Sequence, residues 1–250
     1  GSLNRFWTIR EIADNSQYSC VPEIIDDNLR SRLSIYENSR ISYRRELTPK
    51  NTSELVDWIA KFPGPRLVIM NTVQSAAALA DHYSARFGRK CIEHLSTALT
   101  PNDRDATLKK VKNRLANKDD MDWTLVATSC VEAGVDLSFR NGFREIGSLV
   151  SLLQASGRVN REGTLSNSEM WSFCIQEDGM LKLNPGLKQA ATVLKDYFES
   201  NTSISPELST QSITDEIALY GLSGKHKKLI SNEGLQNFPQ VEQDFNVIDT

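Results

Sequence analysis

Short apolar runs alternate with amphipathic stretches between residues 66 and 199 of this chain. Leu67–Met70 (LVIM) has no polar position and follows Pro-Gly-Pro, the pattern of a parallel strand covered on both faces. It leads into VQSAAALADHYSARF (73–87), rich in helix formers and closed by Gly88. CIEHL (91–95) is a second predicted strand. Thr100 as N-cap, Pro101 at the first helical position and acidic Asp103 then open a predicted helix over TPNDRDATLKKVKNRLANK. WTLVATS (123–129) and FREIG (143–147) are the third and fourth strands. A helix is predicted over 148–161, with Gly163 ending it; EMWSFCI (169–175) is the fifth strand, and a helix over 187–199 closes the pattern.

Strand and helix in regular alternation mean an α/β fold, a parallel sheet with right-handed crossovers and helices on both faces. The expected organisation is an N-terminal flanking segment (1–48, with a strand around 40–47), an α/β lobe (49–200), and a small, mostly helical C-terminal extension (201–250). The extension reads as a helix over 205–220, a basic GKHKK loop (224–228) and a polar end. Ligands of such sheets sit outside the carboxyl ends of the strands. The loops to watch are therefore those after Met70, Leu95 and Thr128, and the segment after Gly147.

Composition narrows the function classes. The 250 residues carry 39% hydrophobic and 24% charged side chains, with 29 Lys and Arg against 32 Asp and Glu. A net charge of −3 argues against a polybasic binder, although a local groove can be basic on an acidic protein. Cys20, Cys91, Cys130 and Cys174 are dispersed and form no C-x-x-C pair, as expected of reduced thiols, and the three histidines give no metal-ligand spacing. His82 is expected to pack on an apolar helix. No 18-residue apolar run and no signal peptide occur, so the reading is cytoplasmic, with no membrane. The opening Gly-Ser-Leu reads as a cloning remnant on a piece of a larger protein.

Two stretches carry chemistry. In QASGRVNR (154–161), a continuous helix would place Gln154, Arg158 and Arg161 on one face, at i,i+4 and i,i+3 spacing. Two guanidinium forks suit the γ-phosphate of a nucleotide, because arginine binds phosphate bidentately and stays charged. The alternative is a solvent-facing pair beside Glu162. In VATSCVEAGVDL (126–137), backbone N–H groups and the hydroxyls of Thr128 and Ser129 can grip a phosphodiester, and Asp136 can accept from a ribose hydroxyl. There the alternative is a strand-to-helix turn with a capping aspartate.

The order LVIMNT, HLSTALTPNDR, VATSCVEAGVDLSF and QASGRVNREG resembles motifs IV, IVa, V and VI of superfamily 2 helicases, in the form found in the CRISPR-associated helicase–nuclease of type I systems. The resemblance spans about residues 66 to 175. It implies a second RecA-like lobe that hydrolyses ATP with Mg²⁺ together with a first lobe, moves along single-stranded DNA, and is recruited by a crRNA-guided surveillance complex. By the same resemblance, Arg161 matches the arginine finger, Arg158 its partner, and Gln154 the residue linking nucleotide to motif movement. Gly134, Asp136 and Gly157 fall at the nucleotide; Asn71, Thr72, Ser96, Thr97, Thr128 and Ser129 at the DNA backbone. Arg104 matches an arginine that follows the HxS stretch; a helix-surface salt bridge is the other reading.

The departures are as informative. There is no G-x-x-x-x-G-K-[ST] phosphate loop, GLSGK (221–225) having the wrong spacing, no acidic box to hold Mg²⁺, and no His-Asp metal cluster of a nuclease. The expectation is one lobe with flanks, inactive alone. The competing readings are a non-catalytic docking module for DNA or a partner and, more weakly, a Rossmann-like metabolic enzyme. The lysines of 108–118 spread over several helix faces and read as a solvated surface, and Trp58, Trp123 and Trp171 as core.

Overall fold

A computed structural model describes residues 26–132, 134–220 and 231–244. The first helix of the described residues, α1 (Asp27–Arg40), starts where Asp26 accepts from the Leu29 amide. It runs into β1 (Ser42–Lys50) and α2 (Thr52–Ile59), the latter opened by a reciprocal Asn51/Glu54 capping box. Then follow β2 (Arg66–Ile69), α3 (Val73–Phe87), β3 (Ile92–Leu95), α4 (Pro101–Ala116) and β4 (Thr124–Ala127). The order continues with β5 (Asn141–Glu145), α5 (Leu149–Ser156), β6 (Glu169–Ile175), α6 (Lys188–Glu199) and α7 (Ser209–Tyr220).

All six strands run parallel in the order β1-β6-β5-β2-β4-β3. Side-chain alternation splits the core into two layers. Leu67, Ile69, Leu125 and Ala127 face one side, under α4, α5 and α6 (Val111, Leu149, Leu152, Leu194). Val68, Met70, Val126 and Phe143 face the other, under α2 and α3 (Leu55, Ile59, Leu79, Tyr83). The fully apolar LVIM run follows from this, since both of its faces are covered. The described residues up to Ser212 form one compact unit and those from Ile213 onward a second, which carries the end of α7 and the helix α8 (Phe238–Asp244).

The capped elements lie where their end signals put them. α3 runs from the Thr72 cap to Gly88, and α4 from the Thr100 cap with Pro101 in its first turn. Three features differ from the sequence-based expectation. The strand expected at 40–47 spans 42–50 and lies beside β6, so the expected boundary at residue 48 falls inside an edge strand of the main sheet. Two helices not anticipated, α1 and α2, flank it. The helix expected over 148–161 stops at Ser156. Beyond Gly157 the main chain is drawn into an extended bridge, Val159 beside Phe139, and cannot continue the helical turn. The GKHKK loop, Cys20 and the polar end lie outside the described residues. Trp123 is buried against Phe139, and Trp58 and Trp171 join an aromatic cluster with Phe62, Phe143 and Phe173. His82 is half-buried. In the lysine-rich helix Arg114 pairs with Asp120 and Glu93.

Candidate functional site

The end of α5 and the loop between β4 and β5 are built onto one another. After β4 the chain makes a single 3₁₀ turn, Ser129–Val131. Arg158 reaches this turn, donating from Nε to the Val131 carbonyl (3.0 Å) and from Nη2 to the Glu132 carbonyl (2.9 Å). Further along, the Phe139 amide donates to the Arg158 carbonyl (2.8 Å) and the Asn160 amide to the Phe139 carbonyl (2.7 Å). The Arg161 amide donates to Ser138 Oγ (3.0 Å). Asn160, buried, has φ of +42°, a conformation that non-glycine residues adopt only when their surroundings fix it.

The helix end removes the shared face expected for Gln154, Arg158 and Arg161. Gln154 is an exposed residue of α5. Arg158 is half-buried with its guanidinium on main-chain carbonyls, and burial together with the nearby Arg161 charge lowers its pKa from the ordinary arginine value. Arg161 differs: its side chain is 44% exposed and its partner is the exposed Asp136 (2.8 Å). Such a surface pair contributes roughly 0–1 kcal/mol, so the guanidinium can leave it readily. Gly134, at φ +75°, is exposed beside it, and Gly157 is the α5 C-cap in ordinary right-handed conformation.

A second layer lies beneath, absent from the sequence reading. Arg144, on β5, is buried and donates to Glu132 Oε1 (2.8 Å), to Asn71 Oδ1 and to the Glu145 carbonyl (3.0 Å). Glu145 is buried too: its Oε2 accepts from the Asn71 amide (2.7 Å), while Oε1 has no partner among the described residues. Burial pushes Glu145 up to about 7, against the opposing pull of the Asn71 amide and Arg144. Burial also raises Glu132 above the usual carboxylate range, outweighing its ion pair with Arg144. The signal for this layer was the Arg-Glu pair inside FREIG. Charges in a strand covered on both faces cannot reach water and must find internal partners.

The residues expected at DNA divide in two. Ile69, Ala127 and Leu95 are in register across β2, β4 and β3, so Asn71, Ser129 and Thr97 each follow a paired position by two residues. Thr97 and Ser129 are exposed there. Asn71 spends its side chain on Arg144 and, through Nδ2, on the Ile146 carbonyl (2.9 Å). Thr72 caps α3 by accepting from the Ser75 amide. Thr128 is buried, and Ser96 fully so, its hydroxyl without a partner among the described residues. Arg104 is half-buried, its Nε without a partner among the described residues. Among the described residues, no group of three His, Cys, Asp or Glu side chains is placed to hold a metal, and no helix is long and apolar enough to cross a membrane.

Residues 64–164 match the family model described as CRISPR-associated nuclease/helicase Cas3, C-terminal. A relative from Haloferax volcanii, a CRISPR-associated nuclease/helicase Cas3, is 40% identical over 67 residues, which are 27% of this chain and 7% of that protein. The fold is similar to that of T. fusca Cas3 solved as Cas3-AMPPNP, with a TM-score of 0.56 and 14% identity over 95% of this chain and 28% of the other. It is also similar to a chain in a CRISPR RNA-guided surveillance complex, pre-nicking, with a TM-score of 0.56, 16% identity, and 82% and 28% covered. The chain thus spans under a third of the length of these relatives. Residues 64–164 are thus similar to the C-terminal segment of Cas3 proteins, and they sit on a six-stranded parallel sheet with the fold of a RecA-like lobe.

Proposed function

We propose that this chain is the second motor lobe of an ATP-dependent superfamily 2 DNA helicase or translocase acting in CRISPR interference. The observation that carries this reading is the contrast within Arg161: its main chain is fixed by Ser138 and the Phe139 bridge, while its guanidinium rests on a releasable surface pair. A side chain so anchored is preorganised for charge that arrives from elsewhere, such as a γ-phosphate presented by another lobe. Arg161 would neutralise charge developing on the transferred phosphoryl group. Arg158 would act on the Val131–Glu132 turn instead, keeping Gly134 and Asp136 in place at the nucleotide, with Gln154 at the lobe surface. The phosphate cradle and the Mg²⁺ ligands would come from the first lobe.

Thr97 and Ser129, with the main-chain amides around them, would follow the backbone of single-stranded DNA. Thr72, Thr128, Ser96 and Asn71 would shape that surface from beneath. Recruitment by a crRNA-guided surveillance complex is proposed by analogy with the neighbour solved in such a complex. The test is phosphate release from ATP, with Mg²⁺ and single-stranded DNA, by the full-length protein and by this chain alone. DNA-stimulated turnover by the full-length protein and none by the chain is expected. Turnover by the chain alone would overturn the two-lobe division. Absence of DNA-stimulated turnover from the full-length protein would replace the motor with a docking module.

A further inference from the structure

The turn that carries Arg161 is held from a second side, by the segment that precedes the sheet. Arg40, the last residue of α1, has a side chain only 3% exposed. Its Nη1 donates to the carbonyls of Ser156 (3.2 Å) and Val159, and its Nη2 pairs with Glu37 (2.6 Å). The attachment is reciprocal: Asn160 Nδ2 donates to the Arg40 carbonyl (2.7 Å) and to the Leu165 carbonyl (2.8 Å). Tyr43 adds a hydroxyl bond to Ser156 Oγ (2.9 Å). Tyr36 lies against Gly163, where an added Cβ would come within 2.8 Å of the phenol oxygen.

These bonds have a common target. Ser156 is the last residue of α5, its carbonyl accepting the Val159 amide (3.0 Å) as well as Arg40, and Val159 and Asn160 are the two residues before Arg161. The Phe139 bridge grips the same turn on its other side. Both carbonyls accept from Nη1 while Nη2 holds Glu37, so the rigid guanidinium plane fixes the three acceptors relative to one another, whereas an ammonium's rotating donors would not. Burying that charge is unfavourable unless its bonds are made, so the turn and Arg40 are locked together.

We infer that Arg40 is a positioning residue for Arg161: it sets where the arginine stands by clamping the main chain two residues upstream, and touches neither nucleotide nor DNA. The inference rests on the proposed role of Arg161 as a γ-phosphate ligand. The test is a double-mutant cycle in the full-length protein, reading kcat and KM for ATP in DNA-stimulated hydrolysis for Arg40→Ala, Arg161→Ala and the pair. Misplacing a reacting group by about 1 Å costs on the order of 10²-fold, so Arg40→Ala is expected to lower kcat by roughly 10- to 100-fold, with KM changed by no more than about twofold. In the Arg161→Ala background the Arg40 substitution should have no further effect, because the group it positions is gone. A residue that only supports folding would lower turnover by the same factor in both backgrounds, and that result overturns the inference. So does a silent Arg40→Ala beside an impaired Arg161→Ala. A silent Arg161→Ala instead overturns the proposed function, and this inference with it. If Arg40→Ala does not fold, Arg40→Lys, which keeps the charge without the rigid donor geometry, is expected to give the same non-additive pattern with a smaller loss.

Discussion

Arg158 and Glu132 are bonded main chain to side chain in one direction only: the guanidinium holds the Glu132 carbonyl at 2.9 Å, while the Glu132 carboxylate turns inward to Arg144 at 2.8 Å. Arg144 in turn reaches Asn71 at the end of β2. A continuous polar chain therefore runs from the helix end that bears the candidate nucleotide arginines to the strand ends that bear the candidate DNA contacts. Arg158→Ala would strand the Val131 and Glu132 carbonyls, at a cost of about 1–3 kcal/mol. Urea unfolding of the variant should show that loss as a lower midpoint with an unchanged slope. An unchanged midpoint would mean these bonds are not formed in solution.

Glu145 makes stability depend on pH in a definite sense. Its carboxyl titrates near 7 in the fold, against about 4.5 unfolded, so the folded state binds the proton more tightly. The contribution is fully present below pH 4.5, declines as pH rises, and is lost once pH passes 7. A shift of that size corresponds to on the order of 3 kcal/mol. Glu145→Gln keeps an acceptor for the Asn71 amide and removes the ionisation. It is expected to match wild type near pH 4.5 and to exceed it in urea midpoint at pH 8. Equal midpoints at pH 8 would show that Glu145 is not buried as described.

How far the chain could be read from sequence follows from what the signals encode. The helix formers closed by Gly88, the Thr100 cap and the apolar LVIM run are local, and they placed α3, α4 and β2 well. The end of α5 is not local: Gly157 alone is compatible with a longer helix, and the pull that ends it comes from Phe139, distant in sequence. β1 was legible as a strand but not as part of the sheet, since its partner β6 lies more than 120 residues away. The same holds for the site. Arg158 and Arg161 stood out by their spacing, while Arg40 and Arg144 drew their meaning from carbonyls and carboxylates that only the fold brings near.

Gly142 on β5 is required by close approach. A Cβ there would lie 2.5 Å from Val159 Cγ2 and 2.6 Å from Met170 Sδ. Gly142→Ala is expected to destabilise by roughly 1–3 kcal/mol, as overpacking does. Because Val159 belongs to the Arg161 turn, amide hydrogen exchange at Asn160 and Arg161 should accelerate in the variant. A stable variant with unchanged exchange would contradict the packing.

Single-stranded DNA is expected to bind the chain weakly and without sequence preference, through the level formed by Thr97 and Ser129. With two phosphates neutralised at most, the slope of log K against log salt should be no steeper than roughly −1.4. Thr97→Ala with Ser129→Ala should weaken binding at every sequence alike. Fluorescence anisotropy with homopolymeric and mixed oligonucleotides reads both quantities, and a steep slope or a strong sequence preference would place the DNA on another surface.

The most direct measurement is DNA-stimulated phosphate release by full-length protein carrying Arg161→Ala or Arg161→Lys. Removing an arginine finger costs 10³-fold or more, so Arg161→Ala should lower turnover by about that factor, or ~4 kcal/mol of transition-state stabilisation, with nucleotide affinity changed far less. Arg161→Lys should rescue poorly, because a point charge does not reproduce the planar fork. Turnover within about twofold of wild type in Arg161→Ala would contradict the account, leaving Arg161 as the surface partner of Asp136 and nothing more.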